Sequence, residues 1–320
     1  MNVKEIGGYI ELEYNYFPML HNDAIALNCG TNCLAYLLKS KHIKKIMIPL
    51  FLCNCIENIC VYEGVEVCKY SIGPNFLPDE NIKLEDGEWL YIVNFYGQLS
   101  DGILSKYVRE YGRVIIDQTH AYFEKPIKNV DTIYTCRKFF GVPDGAFLYT
   151  DKLLDIDIPV DESFSRMNYL LGRFERTATE FYNEYKNNDL YLARSPLKKM
   201  SKLTNNLLHG IDYDRVKKVR TDNYNYLYEK LERFNQLRLR KIEGAFCYPF
   251  LYKRDGDGLR KYLLTFNIYI PTLWPNVLED AEQDSLEYCY SKNILPIPVD
   301  QRYTTIDIQI IIDRILEYIS

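Results

Sequence analysis

Lys138 is an isolated amine that follows a short apolar run, beside Arg137 and ahead of the aromatic pair Phe139 and Phe140. A lysine that works as a nucleophile needs its ammonium form disfavoured, and apolar walls and a neighbouring cation both push that way. Asp117 ends the run Val114 to Asp117 (VIID), and His120 lies three residues further on. A carboxylate in that place could hold a cationic ring nitrogen, or it could cap the next turn with His120 packed at the surface. Gly30-Thr31-Asn32 precedes a helical pattern. Glycine permits close backbone approach there, and a helix start offers free N–H groups and a positive dipole end to a phosphate. The same tripeptide also reads as a plain helix cap. Singly, each group has an ordinary structural explanation, and a loop lysine is usually just solvated. Their order carries more: phosphate cup, then carboxylate, then lysine.

The elements that must position these groups follow from apolar spacing. Helical spacing over Leu34 to Leu38, after the turn and cap residues Asn28 to Asn32, predicts a helix starting there, followed by a buried strand over Lys45 to Leu50, a helix over Cys53 to Tyr62 and a strand over Val65 to Ser71. Trp89 to Phe95 reads as a strand, Ser100 to Tyr111 as a helix and Val114 to Asp117 as a strand of continuous apolar character. Such a run suits a parallel sheet covered on both faces. Ile133 to Cys136 and Ala146 to Thr150 are two further expected strands, separated by RKFFGVPDG. Helix and strand alternate over this stretch, so the fold class is α/β. A long helical stretch is expected from Glu162 to about Tyr191, another helix over Lys217 to Phe234, strands at Tyr262 to Tyr269 and Ile294 to Val299, and a closing helix over Ile306 to Ile319. The expected organisation is a large α/β domain over 1–200 and a smaller α+β domain over 201–320.

Composition narrows the partners. The chain has 320 residues, 47% of them hydrophobic and 26% charged, in the range of an ordinary globular protein. Its net charge of −5 and scattered basic residues make nucleic acid a poor partner. Met1 to Asn15 carries Lys4, Glu5, Glu11 and Glu13 and no apolar core of a signal peptide, and no apolar run nears the roughly 20 residues that cross a bilayer. The expectation is a cytoplasmic protein that meets no membrane. Nine cysteines without a C-x2-C pair read as reduced, mostly buried thiols, with no metal site.

The order of groups is that of fold-type-I pyridoxal-phosphate enzymes, in which a mainly parallel seven-stranded sheet lies between helices. More narrowly, the sequence resembles the DegT/DnrJ/EryC1/StrS family of sugar aminotransferases. The residues that carry the likeness are Gly30-Thr31-Asn32 with Pro49 following, VNFYGQ (Val93 to Gln98), IDQTHA (Ile116 to Ala121) and YTCRKFFGVPDGA (Tyr134 to Ala146). It spans residues 20 to 150 and thins beyond them. The resemblance implies pyridoxal 5'-phosphate as cofactor, held by Lys138 as a Schiff base, with Lys138 also moving the proton between substrate and cofactor. Asp117 would keep the pyridine nitrogen protonated. Gly30, Thr31, Asn32 and Thr135 would serve the phosphate, and His120 would lie near the ring or its hydroxyl. The implied reaction moves an amino group, from glutamate, to a keto sugar nucleotide, with a homodimer as the assembly; the cluster Asp300 to Tyr303 could present Arg302 and Tyr303 to a substrate, or it is a solvated loop before the last helix.

Two places depart from the family pattern. An aromatic residue that stacks on the cofactor usually stands a few positions after the proline equivalent to Pro49; here that place holds Cys53, with Phe51 the nearest substitute. The segment Arg166-Met167-Asn168 also differs from the family's Asn-x-Arg-Met. These departures motivate an alternative, a member that binds cofactor or a protein partner without catalysis. Lys138 speaks for transamination, since relatives that dehydrate sugars carry histidine there.

Overall fold

The computed structural model describes residues 6–78 and 82–320; Lys4 and Glu5 of the amino-terminal stretch lie outside them. The first part alternates strand and helix: β1 (Ile25–Leu27), α1 (Gly30–Ser40), β2 (Lys45–Pro49), α2 (Asn54–Tyr62), β3 (Glu66–Tyr70), β4 (Trp89–Val93), α3 (Asp101–Tyr111), β5 (Val114–Asp117), β6 (Asp131–Thr135) and β7 (Ala146–Tyr149). These strands make one seven-stranded sheet in the order β1-β7-β6-β5-β4-β2-β3. β2 to β6 run parallel, whereas β7 is antiparallel to both β6 and β1. Every residue of β5 is buried, as a strand covered on both faces requires. α1 buries Cys33, Leu34, Leu37 and Leu38 on a helical stripe, and Ser100 caps α3 by accepting a hydrogen bond from the Ile103 amide.

The later part is mostly helical: α4 (Asn168–Glu175), α5 (Tyr182–Arg194), α6 (Lys202–Leu208), α7 (Tyr213–Leu231), β8 (Cys247–Leu251), α8 (Gly256–Leu264), α9 (Val277–Asp280), α10 (Leu286–Asn293), β9 (Ile294–Pro298) and α11 (Thr305–Ile319). β8 and β9 pair antiparallel as a separate two-stranded sheet. A second core gathers Tyr224, Leu227, Leu259, Leu263, Leu295, Ile308 and Ile312, while Trp274, Val277 and Tyr290 join the core of the large sheet.

Two expectations are corrected. The strand expected at Tyr262 to Tyr269 is not formed: Tyr262 to Leu264 close α8, which Asp255 caps by accepting from the Gly258 amide and which buries Leu259 and Leu263 four residues apart, and residues 265–269 are a turn and irregular chain. The strand of that region is β8, whose Pro249 would interrupt a central strand but is tolerated in a two-stranded sheet. The helical stretch from Glu162 to Tyr191 is broken between α4 and α5, where Arg176 leaves the helical conformation at φ −136° and ψ −124°.

Candidate active site

In an open α/β sheet the carboxyl ends of the strands and the point where strand order reverses form the natural crevice. Here the chain leaves β3 and returns on the other side of β2 as β4, and a cavity of about 320 Å³ opens over these strand ends. Its walls include Gly30 and Thr31 after β1, Cys53 after β2, Val93 closing β4, Asp117 closing β5, Thr135 closing β6, and His120 and Lys138 on the loops that follow.

The buried carboxyl group of the cavity is Asp117, Asp189 at its rim being paired with Arg137. Asp117 Oδ2 accepts from the Tyr91 hydroxyl at 2.8 Å and its Oδ1 from the Thr119 amide at 2.8 Å. Burial raises its pKa, while those two donors and the nearby Lys138 favour the carboxylate. Tyr91 is two residues before Val93 on β4, and its neighbour in register is Ile115 of β5, so the pleat sets it on the cavity side beside Asp117.

Lys138 reaches His120, with 3.3 Å between Nζ and Nε2, and the same Nζ stands 5.4 Å from the centre of the Phe246 ring. The other imidazole nitrogen, Nδ1, accepts from the Tyr96 amide at 3.3 Å. A backbone amide can only donate, so the hydrogen of the neutral ring belongs on Nε2, which can donate to Lys138 Nζ when that nitrogen is a free amine with a lone pair. Burial, followed by the charge of Lys138, holds His120 well below the usual imidazole range, which keeps the ring neutral. Its ring is stacked on Phe246 at 4.4 Å and on Trp274 at 5.6 Å.

The phosphate-cup side is built from α1 and β6. Cys29, ahead of α1, makes no side-chain cap hydrogen bond to the helix. A Cβ added to Gly30 would come 2.8 Å from Thr135 Cγ2, so only glycine lets α1 start this close to β6. Thr135 Oγ1 is buried without a hydrogen-bond partner, a costly state for a hydroxyl that no ligand meets.

The lysine loop is fixed from several sides. The Cys136 amide donates to Gly145 O at 3.0 Å, and the Gly145 amide donates to Asn28 O at 2.6 Å, joining this loop to the turn before α1. Gly145 has φ +114°, and a Cβ there would meet Cys136 and Thr204. Asp144 accepts from the amide and hydroxyl of Ser201 and from Thr204, anchoring the turn to the start of α6. Arg220 donates through Nη2 to Phe139 O at 3.0 Å, and Gln301 Nε2 donates to the same oxygen at 2.8 Å.

A wider cavity of about 570 Å³ adjoins the first, and Arg137 and Lys138 line both. Its walls carry Arg173, Arg220 and Arg302 with Tyr169, Tyr182 and Tyr185. Arg302 is held in both its Nε and Nη2 by Asp300, at 2.6 and 2.8 Å. Arg137 pairs with Asp189. Burial pushes Arg220 down to about 10, and its donors go to Gln301 and to backbone carbonyls of Phe139, Ala245 and Phe246 rather than to a carboxylate.

Of the residues singled out in the sequence, the structure brings Gly30, Thr31, Asp117, His120, Thr135 and Lys138 to one cavity. Asn32 lies outside its lining; its amide donates to Asn28 Oδ1 and Pro196 O and ties the loops behind the cup. Arg302 lines the wider cavity, and Tyr303 lines neither, being packed against the second core. Phe51 is fully buried between Phe95 and Trp274, so it is not a ring-facing substitute. Tyr91, Arg137 and Trp274 were missed. The β4 pleat pointed to Tyr91, whereas Trp274 sits in an irregular segment with no periodic signal. Among the described residues no group of side chains could hold a metal ion, and no helix is long and apolar enough to cross a membrane.

No protein-family profile and no curated protein sequence matches the chain. Solved structures do. It is similar to NtdA from Bacillus subtilis with bound cofactor PMP (TM-score 0.66, 13% identity, covering 92% of this chain and 72% of that one). A sugar aminotransferase from Streptococcus pneumoniae in its PMP form aligns with TM-score 0.64 and 12% identity, over 92% of this chain and 86% of that one. A DegT DnrJ EryC1 StrS aminotransferase from Brucella abortus gives 0.62 and 14%, over 92% and 85%. The chain therefore has the fold-type-I pyridoxal-phosphate-transferase fold, as its sequence pattern predicted.

Proposed function

We propose that the chain is a pyridoxal-phosphate-dependent aminotransferase of the DegT/DnrJ/EryC1/StrS kind, moving an amino group from an amino-acid donor, glutamate, to a keto sugar nucleotide. The reading is carried by the meeting of Lys138, Asp117, His120, Thr135 and the Gly30 helix start in one cavity at the strand ends. The residues fit the cofactor: the partnerless Thr135 hydroxyl beside the uncapped start of α1 suits a phosphate, and the buried Asp117 suits a cationic ring nitrogen.

When bound, pyridoxal phosphate supplies an electron sink for charge that develops on the substrate carbon. Lys138 Nζ would hold the cofactor covalently and, once released, carry the proton between substrate and cofactor. Asp117 would hold the ring nitrogen in its cationic form, with Tyr91 and Thr119 fixing the carboxylate. His120, its hydrogen on Nε2, would orient Lys138 Nζ. Thr31, Thr135 and the amide of Gly30 would bind the phosphate. The wider cavity suits the nucleotide portion: the exposed Arg173 attracts the diphosphate, and Tyr182 and Tyr185, with ring centroids 6.1 Å apart, offer flat faces. Leu171, Phe174, Tyr182 and Leu190 are exposed on α4 and α5 beside this cavity, which supports a homodimer that covers them; sedimentation as a monomer would contradict it. A cytoplasmic setting accords with nine free thiols among the described residues.

The test is a visible spectrum of the protein with pyridoxal phosphate, beside Lys138→Ala. A cofactor band present in the parent and absent in the variant supports the reading, and no band at saturating cofactor sinks it. Conversion to pyridoxamine phosphate by glutamate then separates a working transaminase from a protein that only binds. Keto sugar nucleotides that reverse the conversion identify the acceptor.

A further inference from the structure

Every residue lining the smaller cavity comes from Cys29 to Ala193 except Trp274. This indole is contributed from beyond β8, it is 7% exposed, and its backbone is left-handed at φ +55°. A bulky residue rarely takes that conformation, which persists only where its surroundings over-determine it. They do. Ser291 Oγ donates to the carbonyls of Leu273 and Trp274 at 3.1 and 3.0 Å, and the Val277 amide donates to Trp274 O at 3.0 Å. Asn276 Nδ2 donates to Leu52 O at 3.0 Å, which ties the segment to the residue before Cys53. Phe51 meets the indole edge-on at 4.5 Å and His120 lies nearly parallel to it, with an interplanar angle of 22°.

We propose that Trp274 is the aromatic wall against which the flat ring of the cofactor lies, supplied by the carboxyl-terminal part where Cys53 offers only a small side chain. This rests on the cofactor reading above. Trp274 also packs edge-on against Phe51 and Phe95 in the core of the large sheet, and it is at the same time the one residue from beyond Ala193 that lines the cavity. A strained turn, clamped on both sides, brings a large flat ring to the cavity, parallel to the imidazole that faces Lys138.

The chain has two tryptophans, Trp89 and Trp274, so the full-length protein labelled with 5-fluorotryptophan gives two fluorine signals, assigned with Trp89→Phe. The ligand is pyridoxamine phosphate, which cannot bond to Lys138. The Trp274 signal is expected to move on saturation while that of Trp89 stays. By calorimetry, Trp274→Leu, which keeps an apolar filler, loses about tenfold in affinity, and Trp274→Phe restores most of it. Binding with a stationary Trp274 signal, or with equal affinity in the leucine variant, overturns the proposal and leaves the cofactor reading standing. Absence of any binding heat in the parent protein sinks both.

Discussion

The two cavities that share Arg137 and Lys138 differ in how their polar groups are held. In the smaller one Asp117 and His120 are each fixed by backbone amides, from Thr119 and Tyr96, and both are buried. In the wider one Arg220 is buried but Arg173 and Arg302 are exposed, and Tyr182 and Tyr185 are 52% and 41% exposed, open to a ligand or a second chain. Fixed dipoles in a dry site stabilise developing charge most strongly, whereas adaptable cations and rings suit recognition. On the proposed function, the difference would divide the labour: chemistry on the strand ends, selection on the helices.

Lys138→Ala tests the chemical side hardest. Amino transfer should fall by about 10³-fold or more, while a nucleoside diphosphate still binds; loss of nucleotide binding as well would merge the two cavities into one functional unit. Asp117→Asn should keep the cofactor yet lower turnover about 10²-fold, and turnover close to the parent's would remove Asp117 from the chemistry. For the wider cavity, Arg173→Ala should raise the acceptor's KM about tenfold with kcat and spectrum preserved. A fall in kcat instead would show that this wall also positions the reacting carbon. Thr135→Val, which keeps the shape of the strand end, should weaken pyridoxamine phosphate binding by only a few-fold. An unchanged Kd would mean that the orphaned hydroxyl never meets the phosphate.

How much of this was legible in the sequence depended on the kind of order each part uses. β2, β4 and β5 announce themselves because a strand buried on both faces must be continuously apolar, and α1, α3 and α11 because one face of each is. β1 escaped notice, since a strand of three residues carries no period. The run Tyr262 to Leu264 looks extended until Asp255 is seen to start a helix upstream. Residues at strand ends were readable because sheet topology fixes where they converge. Trp274 was not, because a left-handed turn between irregular segments is set by tertiary clamps such as Ser291 and Asn276, which no local pattern encodes.

Arg220 pins Phe139 next to the lysine, the approach to β8 through Ala245 and Phe246, and the turn at Gln301 with a single guanidinium. Gln301 closes the ring by donating to the same Phe139 carbonyl. Residues late in the chain therefore complete a loop laid down far earlier. In a chain that is synthesised from its amino terminus, the lysine loop reaches its final shape only after the last strand and its following turn have emerged and docked. On the proposed function, seating of the cofactor would then mark the end of folding, and a chain halted before Gln301 would be expected to expose an unfinished site to quality control.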